Sequence, residues 1–461
     1  MNRSVHLDEI PYRPDSCELF EQLRELPGAA FLDSSYPHAS SGRFDILSAL
    51  PAATLSAPAP GAGEPECEQF FRRLAAFHDQ HFAGIQPVSH DIPFCGGVLG
   101  CIGYDSGNGL HGVRHPQDKP ADTLPATLGA YHWAVVQDHL LRRSVLVAQP
   151  GVDSRQRAEL LAMLARPPRP AREPFMLRGS FSANFTAAQY AEAFQRVQAY
   201  IHAGDCYQVN LAQRFSSGYS GDPWEGYRVL REVAAAPFSA YLALEDGGAV
   251  MSLSPERFIS LHGQHVETSP IKGTRPRHAD SAMDRAAAQE LRAADKDRAE
   301  NLMIVDLLRN DLGRSCIPGS IHVDRLFELQ SFPTVHHLVS TISGELRGDC
   351  GAVQLLANSF PGGSITGAPK RRAMQIIAEL EPHPRQVYCG SVLYISADGR
   401  MDSNIAIRTL LCRNTEVHCW AGGGIVADSS WEQEYQETFD KVGRLLDALE
   451  GPGADRGFPI E

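Results

Sequence analysis

The segment Ser239-Ala-Tyr-Leu-Ala-Leu244 is followed at once by Val250-Met-Ser-Leu253 and by Arg257-Phe-Ile-Ser-Leu261. Each stretch is rich in aliphatic and aromatic residues, and a turn containing glycine or proline separates it from the next. Three predicted strands therefore follow one another without a helix between them. Strands grouped in this way, rather than alternating strictly with helices, favour an α+β layered fold.

Predicted helices and further strands flank this group. Thr186 and Gln189 form a capping box at the start of a helix, and the pattern predicts a long helical region from Ser281 to Leu312. A final helix is predicted from about Trp431 to Leu449. The remaining predicted elements are a helix at Cys67–His81 and strands at Ala29–Leu32, Arg43–Leu47, Ala130–Val136, Ser144–Ala148, Tyr207–Ala212, Gly390–Ile395, Ile405–Cys412 and Val417–Gly422.

A proline-rich segment divides the chain. Arg166-Pro-Pro-Arg-Pro-Ala-Arg-Glu-Pro174 can neither continue a helix nor fill a central strand, so it is typical of a linker. The chain has 461 residues, more than one compact core usually holds. We therefore predict an N-terminal region at 1–165, a linker at 166–182 and a C-terminal domain at 183–455.

Composition excludes several classes of protein. The net charge of -13 argues against non-specific nucleic-acid binding, because phosphate contacts need a basic surface. The 10 cysteines form no Cys-x-x-Cys pair, which argues against a zinc or redox motif. The N-terminus lacks an apolar signal core and no long uncharged apolar run follows, so we expect a cytoplasmic protein without a membrane segment.

Two predicted helices carry carboxylates three residues apart, Asp297 with Glu300 and Glu434 with Glu437. Residues at this spacing share one helix face. Carboxylates on a shared face could bind a hard cation such as Mg²⁺, which prefers oxygen ligands. The alternative is two solvated acidic faces, and spacing alone favours that alternative.

Two further segments contain residues that could carry chemistry. Gly362-Gly-Ser-Ile-Thr-Gly-Ala-Pro-Lys370 resembles a phosphate-binding loop, but it ends in Ala-Pro-Lys and is not a nucleotide-binding motif. Its backbone amides could still bind an anion. Lys272, between a proline and a Gly-Thr pair, has the local context of a surface lysine. If it were buried, desolvation would lower its pKa and leave a nucleophilic amine.

An ordered series of motifs runs through the C-terminal domain. They are Gly204-Asp-Cys-Tyr-Gln-Val-Asn210, Ser254-Pro-Glu-Arg-Phe258, Pro270-Ile-Lys-Gly-Thr-Arg-Pro276, Asp297-Arg-Ala-Glu-Asn-Leu-Met303, Asp306-Leu-Leu-Arg-Asn-Asp-Leu312, Val335-His-His-Leu338, Pro361-Gly-Gly-Ser-Ile-Thr-Gly-Ala-Pro-Lys370, Ile405-Ala-Ile-Arg-Thr409, Ala421-Gly-Gly-Gly-Ile-Val426 and Glu434-Tyr-Gln-Glu-Thr438. In this order they resemble the chorismate-utilising enzymes, which include anthranilate, aminodeoxychorismate, isochorismate and salicylate synthases. The resemblance implies an α+β fold like that of anthranilate synthase component I, with sheets packed as a sandwich and helices outside. Residues 1–165 then match the family's more divergent N-terminal region.

The resemblance also implies a metal and a substrate. Glu300 and Glu437 match the family's Mg²⁺ ligands, and Asp297 and Glu434 match the carboxylates directly behind them. The metal is expected to hold the ring carboxylate of chorismate, and its charge would explain how acidic helices bind an acidic substrate.

Other positions match groups that bind the two carboxylates of chorismate. Gly273 and Thr274 fall where the family hydrogen-bonds the ring carboxylate. Tyr394, Arg408 and the backbone of Gly424 match groups that bind the enolpyruvyl carboxylate, where an arginine offers a bidentate fork.

Subfamily depends on a few positions. Isochorismate and salicylate synthases have a lysine base where this chain has Gln208, so addition of water is disfavoured. Anthranilate synthases usually have alanine where this chain has Lys272, and lysine there is typical of members that aminate ring carbon 4. Glu256 matches the acid that protonates the departing hydroxyl, His337 matches a histidine near that hydroxyl, and Lys441 supports the site.

The expected activity is Mg²⁺-dependent amination of chorismate at ring carbon 4, through a covalent Lys272 intermediate, to 4-amino-4-deoxychorismate for the para-aminobenzoate branch of folate synthesis. No glutaminase motif of the Gly-x-Cys-x-Gly type is present in the chain, so we expect ammonia from a separate glutamine amidotransferase subunit. The alternatives are anthranilate synthase component I and a catalytically silent subunit that binds the amidotransferase.

A second small-molecule site is expected in the N-terminal region, where relatives hold tryptophan. The stretch Ser40-Ser41-Gly42 departs from the Tyr-Ser pattern of some tryptophan-binding members. The matching candidates are Ser34, Arg43, Phe44, Pro237, Phe238 and Ser239.

Overall fold

The computed structural model describes residues 4–39, 42–58, 61–85, 91–113, 124, 126–167, 173–332 and 335–451. The predicted linker at 166–182, the Ser40–Ser41 pair and the end of the predicted C-terminal domain therefore lie partly or wholly outside the described residues. The helices are α1 (Cys17–Phe20), α2 (Glu64–Phe82), α3 (Tyr104–Leu110), α4 (Ser154–Leu164), α5 (Ala187–His202), α6 (Pro223–Ala234), α7 (Ser281–Ala293), α8 (Asp295–Gly313), α9 (Ala352–Ser359), α10 (Lys370–Leu380) and α11 (Trp431–Glu450), with a 3₁₀ turn at Gly363–Ile365.

The strands form two large sheets. In chain order they are β1 (His6–Ile10), β2 (Ala30–Asp33), β3 (Phe44–Ser48), β4 (Ala53–Leu55), β5 (Gly97–Ile102), β6 (Ala126–Tyr131), β7 (Trp133–Asp138), β8 (Arg143–Ala148), β9 (Met176–Leu177), β10 (Ser182–Ala183), β11 (Gln208–Ser220), β12 (Phe238–Ala243), β13 (Ala249–Ser254), β14 (Arg257–His262), β15 (His265–Thr268), β16 (Ile271–Pro276), β17 (His322–Ser331), β18 (Val335–Glu345), β19 (Gly367–Ala368), β20 (Ser391–Ser396), β21 (Met401–Asn404), β22 (Thr409–Arg413) and β23 (Glu416–Ile425).

Both sheets combine strands from the two halves of the chain. Across the described residues the larger sheet has 13 strands in the order β1-β8-β7-β3-β2-β12-β13-β22-β23-β11-β10, with β9 and β19 also pairing with β11. The smaller has 10 strands in the order β16-β18-β15-β14-β21-β20-β5-β6-β4, with β17 pairing with β18. In each sheet, strands from before the predicted linker pair with strands from after it. The division into two domains at 166–182 stays a prediction.

The sheets pack face to face with helices outside. Successive side chains of a strand point to opposite faces, and Val135 and Val136 of β7 accordingly belong to different hydrophobic clusters. The cluster containing Val136 also includes Ile259 and Leu393 of the smaller sheet. The cluster containing Val135 joins the outer face of the larger sheet to helices such as α6 and α11. The predicted α+β class is therefore confirmed.

Four predicted elements differ clearly from those observed, and one of them, the strand Tyr207–Ala212, continues to Ser220 as β11. The helical region Ser281–Leu312 is two helices, α7 and α8, because Ala294 between them has an extended backbone with ψ 100°. The predicted strand Ala130–Val136 is two strands, and the chain crosses from one sheet to the other at His132. The predicted strand Ile405–Cys412 is observed only from Thr409, and residues 405–408 form the connection between β21 and β22.

Within the part of the chain that the structure describes, no helix is long and apolar enough to cross a membrane.

Candidate active site

Strand β16 brings Lys272 into a pocket through a local irregularity. Its register against β18 shifts between Lys272 and Thr274, as expected of a bulge. Gly273, between them, has φ +79°, a conformation that favours glycine. A Cβ atom there would lie 2.8 Å from Leu291 Cδ1 and 3.0 Å from Asp297 Cγ. Glycine therefore allows α7 and α8 to approach the strand that carries Lys272.

Lys272 is paired with a carboxylate of α8. Its Nζ lies 2.7 Å from Glu300 Oε1 and 3.4 Å from the carbonyl oxygen of Ser364, and 12% of its side chain is exposed. Burial lowers the pKa of Lys272, but the charge of Glu300 and its hydrogen bond outweigh burial, so the pKa is raised. A neutral amine at Lys272, which burial alone would favour, therefore requires Glu300 to engage another partner. Gln208 Nε2 also donates to Glu300 Oε1, at 3.2 Å.

Glu256 lies beside this pair and is 5% exposed. Its Oε1 accepts a hydrogen bond of 2.9 Å from the hydroxyl of Ser364. Burial raises the pKa of Glu256 to about 7, against the opposing effects of the Ser364 hydrogen bond and the Lys272 charge. A carboxyl group with a pKa near neutrality can donate a proton at physiological pH.

The carboxylates of α11 approach the pocket from the side of β23. Glu437 Oε1 lies 2.6 Å from Lys441 Nζ, which also donates to the carbonyl oxygen of Gly422 at 2.7 Å. Burial raises the pKa of Glu437, but the charge and hydrogen bond of Lys441 together with the charges of Lys272 and Lys296 outweigh burial, so the pKa is lowered. Glu434 is buried, and its Oε1 accepts from the hydroxyl of Ser429 at 2.7 Å. Its Oε2 is buried without a hydrogen-bond partner.

Two adjacent glycines of β23 leave room around both groups of carboxylates. A Cβ at Gly423 would lie 2.5 Å from Glu434 Oε2, and a Cβ at Gly424 would lie 2.9 Å from Glu300 Oε1. The described residues contain no ready cluster of three or more His, Cys, Asp or Glu side chains for a metal. Mg²⁺ commonly takes only one or two protein carboxylates and completes its shell with water and substrate oxygens. The site fits such an ion. It offers carboxylate oxygens, one of them, Glu434 Oε2, has no hydrogen-bond partner, and Gly423 and Gly424 leave space beside the carboxylates.

A guanidinium and a neutral imidazole form another part of the pocket wall. His337 Nδ1 is 2.9 Å from Thr274 Oγ1, and its Nε2 is buried without a partner. Burial and then the charge of Arg408 lower the pKa of His337 to about 3, so the ring is neutral. Arg408 has φ +50°, and its side chain forms no ion pair or hydrogen bond with the described residues. An unpaired guanidinium is suited to a carboxylate ligand.

The structure brings most of the predicted site residues together. Tyr394 contacts the ring of Phe94 at 5.6 Å, and its charged neighbours are led by Asp402 and Arg257. Neither of these interactions involves Arg408 or Gly424, and the grouping of Tyr394 with those two residues stays a prediction. Asp297 lies behind Glu300 and pairs with Arg275 at 3.2 Å.

Sequence reasoning missed Ser364. Its hydroxyl contacts Glu256 and its carbonyl contacts Lys272, so one residue touches two predicted catalytic groups. Anion binding by the backbone amides of the Gly362–Lys370 segment stays a prediction, and contacts observed there use the Ser364 hydroxyl and the carbonyl oxygens of Ser364 and Ile365. The sequence signal that could have indicated Ser364 is a hydroxyl residue placed among the glycines of the motif at 362–370.

The predicted tryptophan residues lie where β2, β3 and β12 meet. Ser34 donates through its amide and its hydroxyl to Asp45 Oδ1, both at 2.7 Å. Ser35, next to Ser34, is 3.2 Å from Ser239 through the two hydroxyl oxygens. Arg43 pairs with Asp138 at 2.9 Å. The guanidinium of Arg43 also lies over the Phe44 ring, and that of Arg257 lies over the ring of Phe238, which follows Pro237.

The carboxylates of α8 and α11, the lysines paired with them and the buried acid Glu256 form a pocket typical of an enzyme that acts on a small molecule. A sequence model of the chorismate binding enzymes matches residues 35–447, and the chain belongs to that family. Aminodeoxychorismate synthase component 1 of Klebsiella aerogenes is 46% identical over 448 residues, which cover 96% of this chain and 98% of the relative. Anthranilate synthase component 1 of Streptomyces coelicolor is 38% identical over 413 residues, covering 85% and 78%.

A solved structure gives the same result for the fold. Anthranilate synthase component I from Streptococcus pneumoniae matches with a TM-score of 0.76 at 30% identity, covering 88% of this chain and 93% of that one. The prediction of a fold like that of anthranilate synthase component I is therefore confirmed.

Proposed function

We propose that this chain aminates chorismate at ring carbon 4 and releases 4-amino-4-deoxychorismate, as the larger component of an aminodeoxychorismate synthase. The observation that carries the proposal is the position of Lys272, whose amine and the carboxyl of Glu256 both contact Ser364 in one pocket. The relative with this activity in its name is more similar, at 46%, than the anthranilate synthase at 38%.

In the first step the amine of Lys272 attacks ring carbon 2 of chorismate. The carbon–nitrogen bond forms, the two ring double bonds shift, and the carbon–oxygen bond at carbon 4 breaks. Glu256 gives its proton to the departing hydroxyl, which leaves as water. A pKa of about 7 suits this role, because the carboxyl group is still protonated near neutral pH.

In the second step ammonia attacks ring carbon 4 and the double bonds shift back. The bond between carbon 2 and Lys272 breaks, and the lysine leaves as its free amine, while the proton lost by the attacking ammonia restores the acid form of Glu256. The sum is chorismate plus ammonia giving 4-amino-4-deoxychorismate plus water. Two successive displacements place nitrogen at the carbon that lost the hydroxyl, which is the advantage of covalent catalysis here.

The pocket supplies donors for both carboxylates of the substrate. Arg408, which has no partner among the described residues, would bind the enolpyruvyl carboxylate through its two-pronged guanidinium. The Gly273–Thr274 backbone and the Thr274 hydroxyl would bind the ring carboxylate. Neutral His337, with its free Nε2, would hydrogen-bond near the leaving hydroxyl.

Magnesium would be held by Glu300 and Glu437, with Asp297 and Glu434 behind them. When bound, it would supply positive charge to the ring carboxylate of the substrate. Glu300 and Glu437 each now pair with a lysine, Lys272 and Lys441 respectively. A cation at Glu300 would therefore compete directly with the ammonium group of Lys272.

Ammonia would come from a glutamine amidotransferase subunit, and the product would enter para-aminobenzoate and folate synthesis. The component 1 designation of the relatives supports a two-component enzyme. With the purified chain, ammonium should support turnover alone, whereas glutamine should do so only after the amidotransferase is added. Full turnover with glutamine and this chain alone would contradict the proposed partner.

Tryptophan is the proposed ligand of the N-terminal site. Ser34 donates to the buried carboxylate of Asp45, and the next residue, Ser35, contacts Ser239 through the two hydroxyl groups. A bound ligand stabilises the folded state in proportion to its concentration. Tryptophan should raise the melting temperature of the chain, and an unchanged melting temperature would count against the site.

The direct test of the activity is a product assay. The chain is incubated with chorismate, magnesium and ammonium, and the product is separated against standards of 4-amino-4-deoxychorismate and anthranilate. The proposal predicts the first compound, and its loss in K272A. Anthranilate as the product would identify the chain as an anthranilate synthase component, and no consumption of chorismate would indicate a catalytically silent subunit.

A further inference from the structure

Ser364 donates a hydrogen bond to one of the two carboxyl oxygens of Glu256. The Ser364 hydroxyl is 2.9 Å from Glu256 Oε1, and both residues are 5% exposed. Glu256 Oε1 is the one acceptor for the Ser364 hydroxyl among the described residues. If the hydroxyl did not donate to it, a buried donor would be left unsatisfied, which is costly.

We propose that Ser364 is a positioning residue for the acid step, holding Glu256 Oε1 so that the carboxylic proton lies on Oε2 and is free for the leaving hydroxyl. The inference rests on the proposed function, because it assigns the acid of that reaction its orientation. Without the serine, Oε1 loses the donor that makes it the acceptor oxygen, and the proton is held less strictly on Oε2. Only a part of the molecules would then present it to the substrate.

The segment that carries Ser364 is anchored at other points. The carbonyl oxygen of Ile365 accepts from the buried guanidinium of Arg385 at 2.9 Å. Lys370 Nζ bonds to Asp311 Oδ2 at 2.7 Å and to the carbonyl oxygen of Ser359 at 3.0 Å. These contacts are independent of the Ser364 hydroxyl, so removing that hydroxyl should leave the segment in place.

The hydrogen bond also affects the ionisation of Glu256. The charged groups that act on Glu256 are Lys272 of β16 and Lys441 of α11, and the thiol of Cys389 is also close. The backbone amide of Ile271 also hydrogen-bonds Glu256 and lowers its pKa. The Ser364 hydrogen bond lowers the pKa of Glu256 and so opposes the effect of burial. Loss of the hydroxyl should therefore raise this pKa above about 7 and keep Glu256 protonated to higher pH.

The test compares S364A with S364T, which keeps a hydroxyl, and with S359A. Ser359 is a matched control, because its hydroxyl is buried without a hydrogen-bond partner among the described residues. The full chain is assayed with chorismate, magnesium and ammonium across a range of pH. We expect kcat/KM of S364A to fall about tenfold at its optimum, and the alkaline limb of its profile to move to higher pH. S364T and S359A should resemble the wild type.

A second measurement separates this inference from the proposed function. Difference infrared spectroscopy follows the carboxyl of Glu256 during a pH titration, with E256Q as the blank, and needs no turnover. A higher titration midpoint in S364A than in S364T supports the inference. Equal midpoints, or an unmoved alkaline limb in S364A, would overturn it. If the wild type makes no 4-amino-4-deoxychorismate, the proposed function fails, while the infrared result still reports on the hydrogen bond. S364C, with a weak donor of similar size, replaces S364A if that variant does not fold.

Discussion

The buried carboxyl of Glu256 should reduce the stability of the protein at alkaline pH. Its pKa rises from 4.5 to about 7 in the folded state. The folded state therefore favours the protonated carboxyl more than the unfolded state does. This contribution to the free energy of unfolding is fully present below pH 4.5 and is lost as the pH rises through about 7. At about 1.4 kcal/mol for each pH unit, the loss amounts to roughly 3 kcal/mol above that range. The substitution E256Q keeps the shape and an acceptor for Ser364 but cannot ionise.

Relative to the wild type, E256Q should be more stable by less than about 1 kcal/mol near about pH 5 and by roughly 3 kcal/mol near about pH 8.5. The assay is urea unfolding at both pH values in metal-free buffer. E232Q is the control, since Glu232 is exposed on α6 and should give no such trend. Other titrating groups are common to the compared proteins and cancel. If the difference between E256Q and the wild type were the same at both pH values, the raised pKa of Glu256 would be wrong.

Three substitutions in the pocket give further predictions. K272R keeps a positive charge beside Glu300 but offers no amine, so amination should fall at least about a hundredfold, as in K272A; activity near the wild-type level would exclude the covalent route. In G424A the new methyl group would lie 2.1 Å from Gln208 Nε2 and 2.9 Å from Glu300 Oε1. The methyl group should disturb the hydrogen bond between the Gly424 backbone and the enolpyruvyl carboxylate of chorismate. A hydrogen bond to a charged group is worth enough to raise the KM for chorismate by at least about tenfold. An unchanged KM would show that the pocket tolerates the methyl group. R408K replaces a bidentate fork with one ammonium, so its KM should rise about tenfold with little change in kcat; a fall in kcat alone would contradict substrate binding by Arg408.

Local patterns predicted the elements that are set by neighbours in sequence. The capping box of Thr186 and Gln189 is present at the start of α5. The break at Ala294 could not be predicted, because neither glycine nor proline marks it. Leu291 and Asp297, on either side of the break, both contact the space above Gly273. The break therefore follows from packing two helices on β16, which is a tertiary effect.

The same distinction applies to the site. Lys272, Glu256 and Glu300 were predicted from motifs, and the structure brings them together. The ion pair between Lys272 and Glu300 was not predicted, since 28 residues separate the partners and only folding brings them to 2.7 Å. The placement of Tyr394 beside Arg408 and Gly424 stays a prediction, since strand alternation around Tyr394 does not show which pocket its ring enters. Ser364 was missed because its role depends on a contact with Glu256, 108 residues away in sequence.

The most direct test of the central claim is the mass of the Lys272 peptide. The chain is incubated with chorismate and magnesium without ammonia, then quenched, digested and analysed by mass spectrometry, with K272A as the control. The account predicts a chorismate-derived adduct on the Lys272 peptide, which addition of ammonium before quenching converts to free 4-amino-4-deoxychorismate. An unmodified Lys272 peptide in an enzyme that still produces 4-amino-4-deoxychorismate would contradict the account.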